Sequence, residues 1–402
     1  MLDYISFVLK KRFISFGKPY LGNNEINSVK KIIRSSWIGT GFVTKKFEEK
    51  FSNYKNSNYS ISLNSCTAGL HISLLSLGLK KNDEIITTPM TFAATINSII
   101  LAGGKPILID IRRDTFNIDE DKIVEKINKK TKAILVVHFA GLPCNMNKII
   151  KIAKKYKLKI IEDCAHAIET KYLNKPVGNF GYTGCYSFYS NKNITTGEGG
   201  MLTCSDKKLA EKIKIMRLHG MSRDAWKRYM PEATPKTILY QHYDILYTGL
   251  KYNMIDINAA LGIEQLKKIG KMWNKRKKLY NKYFDELKNF GIILQDTKQY
   301  KFKHGYHLFL FVFDQKKFKD KNIRDKFLKY LNQNRIGAGV HYRSVTGMTN
   351  YRKLFKWSNK TCPIAHNYGL NTVSLPLYPS LSTKNQNYII DRVKFFLKNN
   401  QK

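Results

Sequence analysis

Acidic residues are scarce in this chain: 30 Asp and Glu stand against 70 Lys and Arg, a formal net charge of +40 over 402 residues. A field of that sign attracts polyanions, whether nucleic acid, a membrane surface or a diphosphate. The basic residues are nevertheless spread along the chain, with no long basic tail, zinc-finger spacing or run of nucleic-acid-binding aromatics, so dedicated nucleic-acid binding is not expected. Cysteine is also sparse. Cys66, Cys144, Cys164, Cys185, Cys204 and Cys362 form no CxxC pair and no Cys/His ligand spacing, which favours reduced thiols and argues against a metal site. Long apolar runs are missing too. The stretch Tyr4–Leu9 ahead of Lys10-Lys11-Arg12 is too short to span a bilayer and has no small-residue cleavage site, so export and membrane insertion are not expected and a cytoplasmic location is.

What is present is enough for a sizeable core: 43% of the residues are hydrophobic. Between about residues 58 and 205, β-branched and aromatic runs alternate with stretches of helical period. The strands expected are Tyr59–Leu63, Glu84–Thr88, Pro106–Ile111, Ala133–Phe139, Lys159–Glu162, Gly184–Tyr189 and Gly200–Cys204. That alternation predicts an α/β fold with a mostly parallel sheet flanked by helices, whose ligands gather at the carboxyl ends of the strands. From Asp256 to about Lys288 the pattern becomes one long helical stretch, leading to a second, smaller α/β region that holds Tyr306–Phe313 and Gly339–Tyr342. The expected division is 1–255 and 256–402, with segment 1–25 packing on the smaller region.

The run Ser187-Phe188-Tyr189-Ser190-Asn191-Lys192-Asn193-Ile194-Thr195-Thr196-Gly197-Glu198-Gly199-Gly200 sets a lysine between an expected strand and a glycine-dense turn, where backbone can pass close to a bulky group. It resembles, nearly letter for letter, the cofactor-lysine signature of the DegT/StrS-type sugar aminotransferases. Five further stretches match motifs of that family in order and spacing: Trp37–Gly41, Leu63–Leu70, Pro89–Thr95, Glu162–Ala167 and Tyr252–Gly262.

The resemblance implies a PLP-transferase fold of type I and pyridoxal 5'-phosphate (PLP) as cofactor, with pyridoxamine phosphate formed between two half-reactions. It implies that Lys192 carries PLP and moves protons. Asp163 would hold the ring nitrogen protonated, and His166 would lie at the oxygen side of the ring or at the substrate. Glu162, the competitor of Asp163, is expected to face the other way, and Glu162→Gln to be mild. The phosphate falls to Cys66, Thr67 and Ala68 at a helix start, where unpaired amides and the dipole favour an anion, and to Ser187. An N-cap by Ser65 is compatible with that. Phe92 covers the ring face, and Lys251 reaches the phosphate of a neighbouring subunit. Arg217, His219, Arg228, His307, His341 and Tyr342 match positions near the substrate.

The implied partners are a nucleotide-diphosphate keto-sugar, L-glutamate as amino donor, and a second copy of the chain in a homodimer with shared active sites. Two alternatives stand beside this reading. A PLP-dependent sugar dehydratase would carry histidine in place of Lys192, and a PLP-binding regulator would keep the pocket without turnover.

Overall fold

The computed structural model describes residues 13–222 and 243–402. Its first part runs α1 (Asn23–Arg34), α2 (Phe42–Lys55), β1 (Tyr59–Leu63), α3 (Cys66–Ser76), β2 (Glu84–Thr87), α4 (Ala93–Leu101), β3 (Lys105–Leu108), β4 (Thr131–Val137), α5 (Met146–Lys155) and β5 (Lys159–Asp163). A small hairpin, β6 (Lys171–Tyr172) and β7 (Lys175–Pro176), precedes β8 (Thr183–Ser187), β9 (Gly200–Cys204) and α6 (Lys207–Met216).

Seven of these strands form one sheet in the order β1-β9-β8-β5-β4-β2-β3. Pairing is parallel from β3 through β8, and β9 alone runs backwards, antiparallel to both β8 and β1. Successive residues go to opposite faces, as the two-residue repeat of a strand requires. Ile134 and Val136 of β4 enter one core, with Phe47, Tyr186 and Met201. Ala133, Leu135 and Val137 enter another, with Leu70, Ile161 and Leu202. Strands buried on both faces read as unbroken apolar runs, which is why they stand out in the sequence.

The second part contains α7 (Asp256–Lys267), α8 (Ile269–Leu287), β10 (Ile292–Leu294), β11 (Phe302–Lys303), β12 (Phe309–Phe313), α9 (Ile323–Gln333), α10 (Thr349–Phe355), α11 (Pro363–Asn371), β13 (Thr372–Leu375) and α12 (Thr383–Asn400). The antiparallel sheet β10-β12-β13 has its own core of Phe309, Phe311, Phe327, Val393 and Leu397. The single long helix expected over 256–288 is two. The chain breaks at Lys268, φ −109° and ψ 8°, whose ammonium pairs with Glu25 at 2.5 Å. The break lets α8 begin in the large core at Ile269 and Met272 and end in the small one at Tyr283 and Leu287. Within Tyr306–Phe313 the strand runs from Phe309 to Phe313, and Gly339 bridges to Ser374.

The beginning of the described chain packs on this second part. Ile14 donates its N–H to the carbonyl of Arg335 at 2.8 Å, accepts from Gly337 at 2.8 Å and joins the small core. Among the described residues, no helix is long and apolar enough to cross a membrane.

Candidate active site

Parallel pairing places the carboxyl ends of β1, β2, β5 and β8 along one edge, and the reversed β9 begins at that same edge. A cavity of about 440 Å³ opens there, walled by Ser65, Cys66, Thr67, Phe92, Asp163, His166, Ser187, Lys192, His341 and Tyr342. Residues far apart in sequence thus meet, Ser65–Thr67 and Phe92 at helix starts and Asp163 and Ser187 at strand ends.

Ser65 is the N-cap of α3, and its Oγ accepts the Ala68 N–H at 3.1 Å. That bond commits the Ala68 amide and leaves those of Cys66 and Thr67 as first-turn donors without intrahelical partners, facing a cavity that both residues line. Gly200 sits against this turn. A Cβ there would lie 2.4 Å from the carbonyl carbon of Ser65 and 2.6 Å from the Cys66 nitrogen, so only glycine lets β9 start beside the anion-binding helix end.

Asp163 closes β5 and is 6% exposed. Its Oδ1 accepts the Ala165 N–H at 3.0 Å and its Oδ2 accepts from Thr95 Oγ1 at 3.0 Å. Burial pushes its pKa up, while those two donors and the nearby Lys192 and His138 pull the other way. Glu162 points to the opposite face. Its oxygens accept from the amides of Gly178 (2.7 Å), Phe180 (2.7 Å) and Gly181 (3.1 Å) and from His138 Nε2 (3.1 Å). His138 Nδ1 in turn accepts the Cys144 N–H at 3.1 Å, so His138 carries its proton on Nε2. Among the described residues His138, Glu162 and Cys164 are close enough to hold a metal, yet both ring nitrogens and both carboxylate oxygens are already engaged.

Lys192 is half-buried in the loop between β8 and β9, its N–H donating to the Tyr189 carbonyl at 2.9 Å. Burial brings its amine down to about 8, against the opposing pull of Cys66 and Asp163. His166 accepts the Ala140 N–H on Nδ1 at 3.3 Å, so Nε2 bears the proton facing Tyr342 Oη at 3.0 Å. Burial first, then Lys192 and His341, keep His166 neutral. His341 bonds Ser374 Oγ at 2.9 Å through Nδ1 and stacks on Phe16 at 5.3 Å, and burial lowers its pKa to about 4. Phe92 lies at the mouth, 63% exposed, its ring 6.0 Å from that of Tyr342.

Other expected residues lie elsewhere. Arg217 is a correction: its guanidinium is spent inside the large sheet, where Nη1 bonds Glu48 Oε1 at 2.5 Å and the Ser62 carbonyl at 2.8 Å, which leaves it committed to holding α2 on β1. His307 stands behind His166, ring centroids 4.3 Å apart, with Nδ1 on Asn193 Oδ1 at 3.0 Å. His219 and Lys251 are exposed and outside the cavity wall, and Arg228 lies outside the described residues. Sequence reasoning missed Thr95, Tyr189, Asn191 and Glu198, which position Asp163 or line the cavity. All four fall within motif stretches quoted above, so the signal was there without a geometry to rank them.

The cavity therefore combines a helix N-terminus, an amine with a lowered pKa and a buried, braced carboxylate. Residues 19–394 match the DegT/DnrJ/EryC1/StrS aminotransferase family. The chain is 42% identical over 394 residues to the uncharacterised protein MJ1066 of Methanocaldococcus jannaschii, covering 98% of this chain and 100% of that protein. It is 35% identical over 390 residues to the spore coat polysaccharide biosynthesis protein SpsC of Bacillus subtilis, covering 97% and 98%.

Among solved structures, Spr1654 of Streptococcus pneumoniae, a sugar-aminotransferase candidate with both PLP and PMP forms solved, superposes with TM-score 0.87 at 28% identity over 96% of this chain and 99% of that one. Helicobacter pylori PseC, an aminotransferase involved in the biosynthesis of pseudoaminic acid, does so with TM-score 0.86 at 28% identity over 97% and 100%. On the family match and these full-length likenesses, the chain belongs to the DegT/DnrJ/EryC1/StrS aminotransferases, which have the type I PLP-transferase fold and depend on pyridoxal phosphate.

Proposed function

We propose that this protein transfers an amino group from L-glutamate to the keto carbon of a nucleotide-diphosphate sugar, giving an amino-sugar for glycan biosynthesis in the cytoplasm. The observation that carries the reading is the meeting of Lys192, Asp163 and the start of α3 in one cavity. SpsC is described as a spore coat polysaccharide biosynthesis protein and PseC as an aminotransferase involved in the biosynthesis of pseudoaminic acid, which supports the sugar. The +40 charge supports an anionic, nucleotide-linked form.

In this reading the amides of Cys66 and Thr67, with Ser187, hold the PLP phosphate. Asp163, braced by Thr95 and Ala165, would hold the ring nitrogen protonated. Phe92 at the mouth would pack on the ring, and His166 with Tyr342 would help hold the ring or the substrate. When bound, PLP supplies an electron-withdrawing ring that accepts charge from the donor's Cα. Lys192 Nζ, lowered to about 8, is neutral in an appreciable fraction of molecules at neutral pH, so it would hold the cofactor and would serve as the base and acid that moves the proton at that Cα. Overall an amino group and a carbonyl oxygen change places: glutamate becomes its 2-oxo acid as the keto-sugar becomes an amino-sugar, with no external oxidant.

The same reading makes the protein a homodimer in which Lys251, exposed on its own subunit, serves the phosphate of the neighbour, and it divides the chain at 255/256. Two measurements test the proposal. Borohydride reduction of the loaded protein followed by peptide mapping is expected to place a pyridoxyl group on Lys192 alone. Glutamate consumption coupled to a nucleotide keto-sugar is expected to proceed. A pyridoxyl group on another lysine overturns the site, and PLP binding without any reaction of glutamate favours a regulator.

A further inference from the structure

Asn193, the residue after Lys192, is 5% exposed, and its side chain ties three pieces of chain together. Nδ2 donates to Glu169 Oε2 at 2.8 Å and to the Gly305 carbonyl at 2.7 Å. Oδ1 faces His307 Nδ1 at 3.0 Å. Gly305 offers only lone pairs, so the amide orientation is fixed, and His307 must carry its proton on Nδ1. The His307 ring lies against that of His166, tilted by 31° with centroids 4.3 Å apart; the tautomer of His166 is set by Ala140, and it ends the series at Tyr342 on the cavity wall. Glu169, the outer end, is buried with one oxygen unpaired and lies within the fields of two buried cations, Lys55 and Arg276. Gly305 is itself held to Gly141 through its N–H at 2.8 Å.

This arrangement is more than loop packing needs. A solvated loop asparagine could satisfy its amide with water. Here one bond goes to Glu169 in the loop after β5, and two go to Gly305 and His307 in the segment entering β12 of the second sheet. The residue so held is covalently next to the lysine.

Resting on the reading of Lys192 as the cofactor lysine, we propose that Asn193 is a positioning residue: clamped between Glu169 and Gly305–His307, it holds the Lys192 peptide so that the amine stays in its water-poor place. Loosening the clamp lets water reach Nζ, and the ammonium form gains. The seating of the second sheet against the first is thereby felt at the lysine.

The test reads the amine directly. In the full chain stripped of cofactor, the pH dependence of competitive acylation of Lys192, followed by peptide mass spectrometry, gives the midpoint of its amine. Asn193→Leu keeps the volume and removes all three bonds. It is expected to raise the midpoint by about one pH unit or more, toward that of a free lysine. His307→Leu should move it in the same direction, and His307→Asn, which returns an N–H donor near the position of Nδ1, should restore it to the wild-type value. A folded Asn193→Leu protein with a lower melting temperature but an unmoved midpoint means a merely structural residue and overturns the proposal. If Asn193→Leu does not fold, the two His307 variants decide on the same terms: a shift in Leu rescued by Asn supports the clamp, and no shift overturns it. Borohydride mapping of the wild type separates the two layers. A pyridoxyl group on another lysine removes the reading on which the inference rests, whereas a group on Lys192 with an unmoved midpoint removes the inference alone.

Discussion

Glu162 and Asp163 are neighbours at the end of β5 that serve opposite sides of the sheet: Asp163 borders the cavity, and Glu162 is fully buried behind it among three backbone amides and His138. One-residue alternation separates a carboxylate available to a ligand from one consumed by the fold.

The two respond differently to the same chemical change. Asp163→Asn is expected to keep PLP bound while lowering kcat on the order of 10²-fold or more, because a neutral amide does not hold the ring nitrogen protonated. Glu162→Gln, expected from sequence to be mild, should instead cost stability, about 3 kcal/mol, since an amide nitrogen would replace an acceptor among buried donors. Denaturant unfolding and steady-state kinetics on both variants separate the effects. Near-normal turnover in Asp163→Asn would point to a different ring partner.

Trans action of Lys251 can be tested by complementation, provided each single variant is nearly inactive. Mixing Lys192→Ala with Lys251→Ala subunits after reversible dissociation gives mixed dimers with one doubly damaged and one intact site. Random exchange makes half of the dimers mixed, so activity should recover to about a quarter of wild type. Proven exchange without recovery would assign Lys251 to its own subunit's site.

Burial lifts the Glu169 carboxyl to about 7 from an ordinary 4.5. The native state therefore holds a proton that the unfolded chain releases between those pH values, and stability falls as pH rises through the window. The contribution, on the order of 3 kcal/mol, is fully present below about 4.5 and lost as pH passes about 7. Urea unfolding across this range should show the decline in the wild type and a flatter profile in Glu169→Gln. Equal slopes would place the titration on another group.

Raising ionic strength should lower kcat/KM for an anionic sugar substrate and leave kcat almost unchanged, if the positive field acts in capture. Tight, salt-sensitive binding to duplex DNA with a site preference would assign the charge to nucleic acid instead.

The doubly buried strands were legible because apolar β-branched runs mark them, and β1 and β9 were read to the residue. The cavity was legible through its motifs: Lys192, Asp163, Cys66 and Tyr342 do converge. Three things were not. The break at Lys268 has no proline or glycine at that residue to announce it and depends on which core each half of the stretch meets. The commitment of Arg217 to Glu48 depends on a contact between residues 169 positions apart in the chain. The split between His166 on the wall and His307 behind it is a matter of depth, on which a run of residue types is silent.

The single reversed strand also constrains how the molecule is made. Tyr59 of β1 pairs only with Cys204 of β9, and β9 separates β1 from β8. On a ribosome β1 and the turn after it must therefore wait, unpaired on that side, until Gly200–Cys204 has been synthesised. Such long-range closure is slow compared with local pairing. The lysine loop immediately precedes β9, so the same late insertion that closes the sheet brings Lys192 and the start of α3 to one cavity, and a formed cavity becomes a report that the sheet is complete.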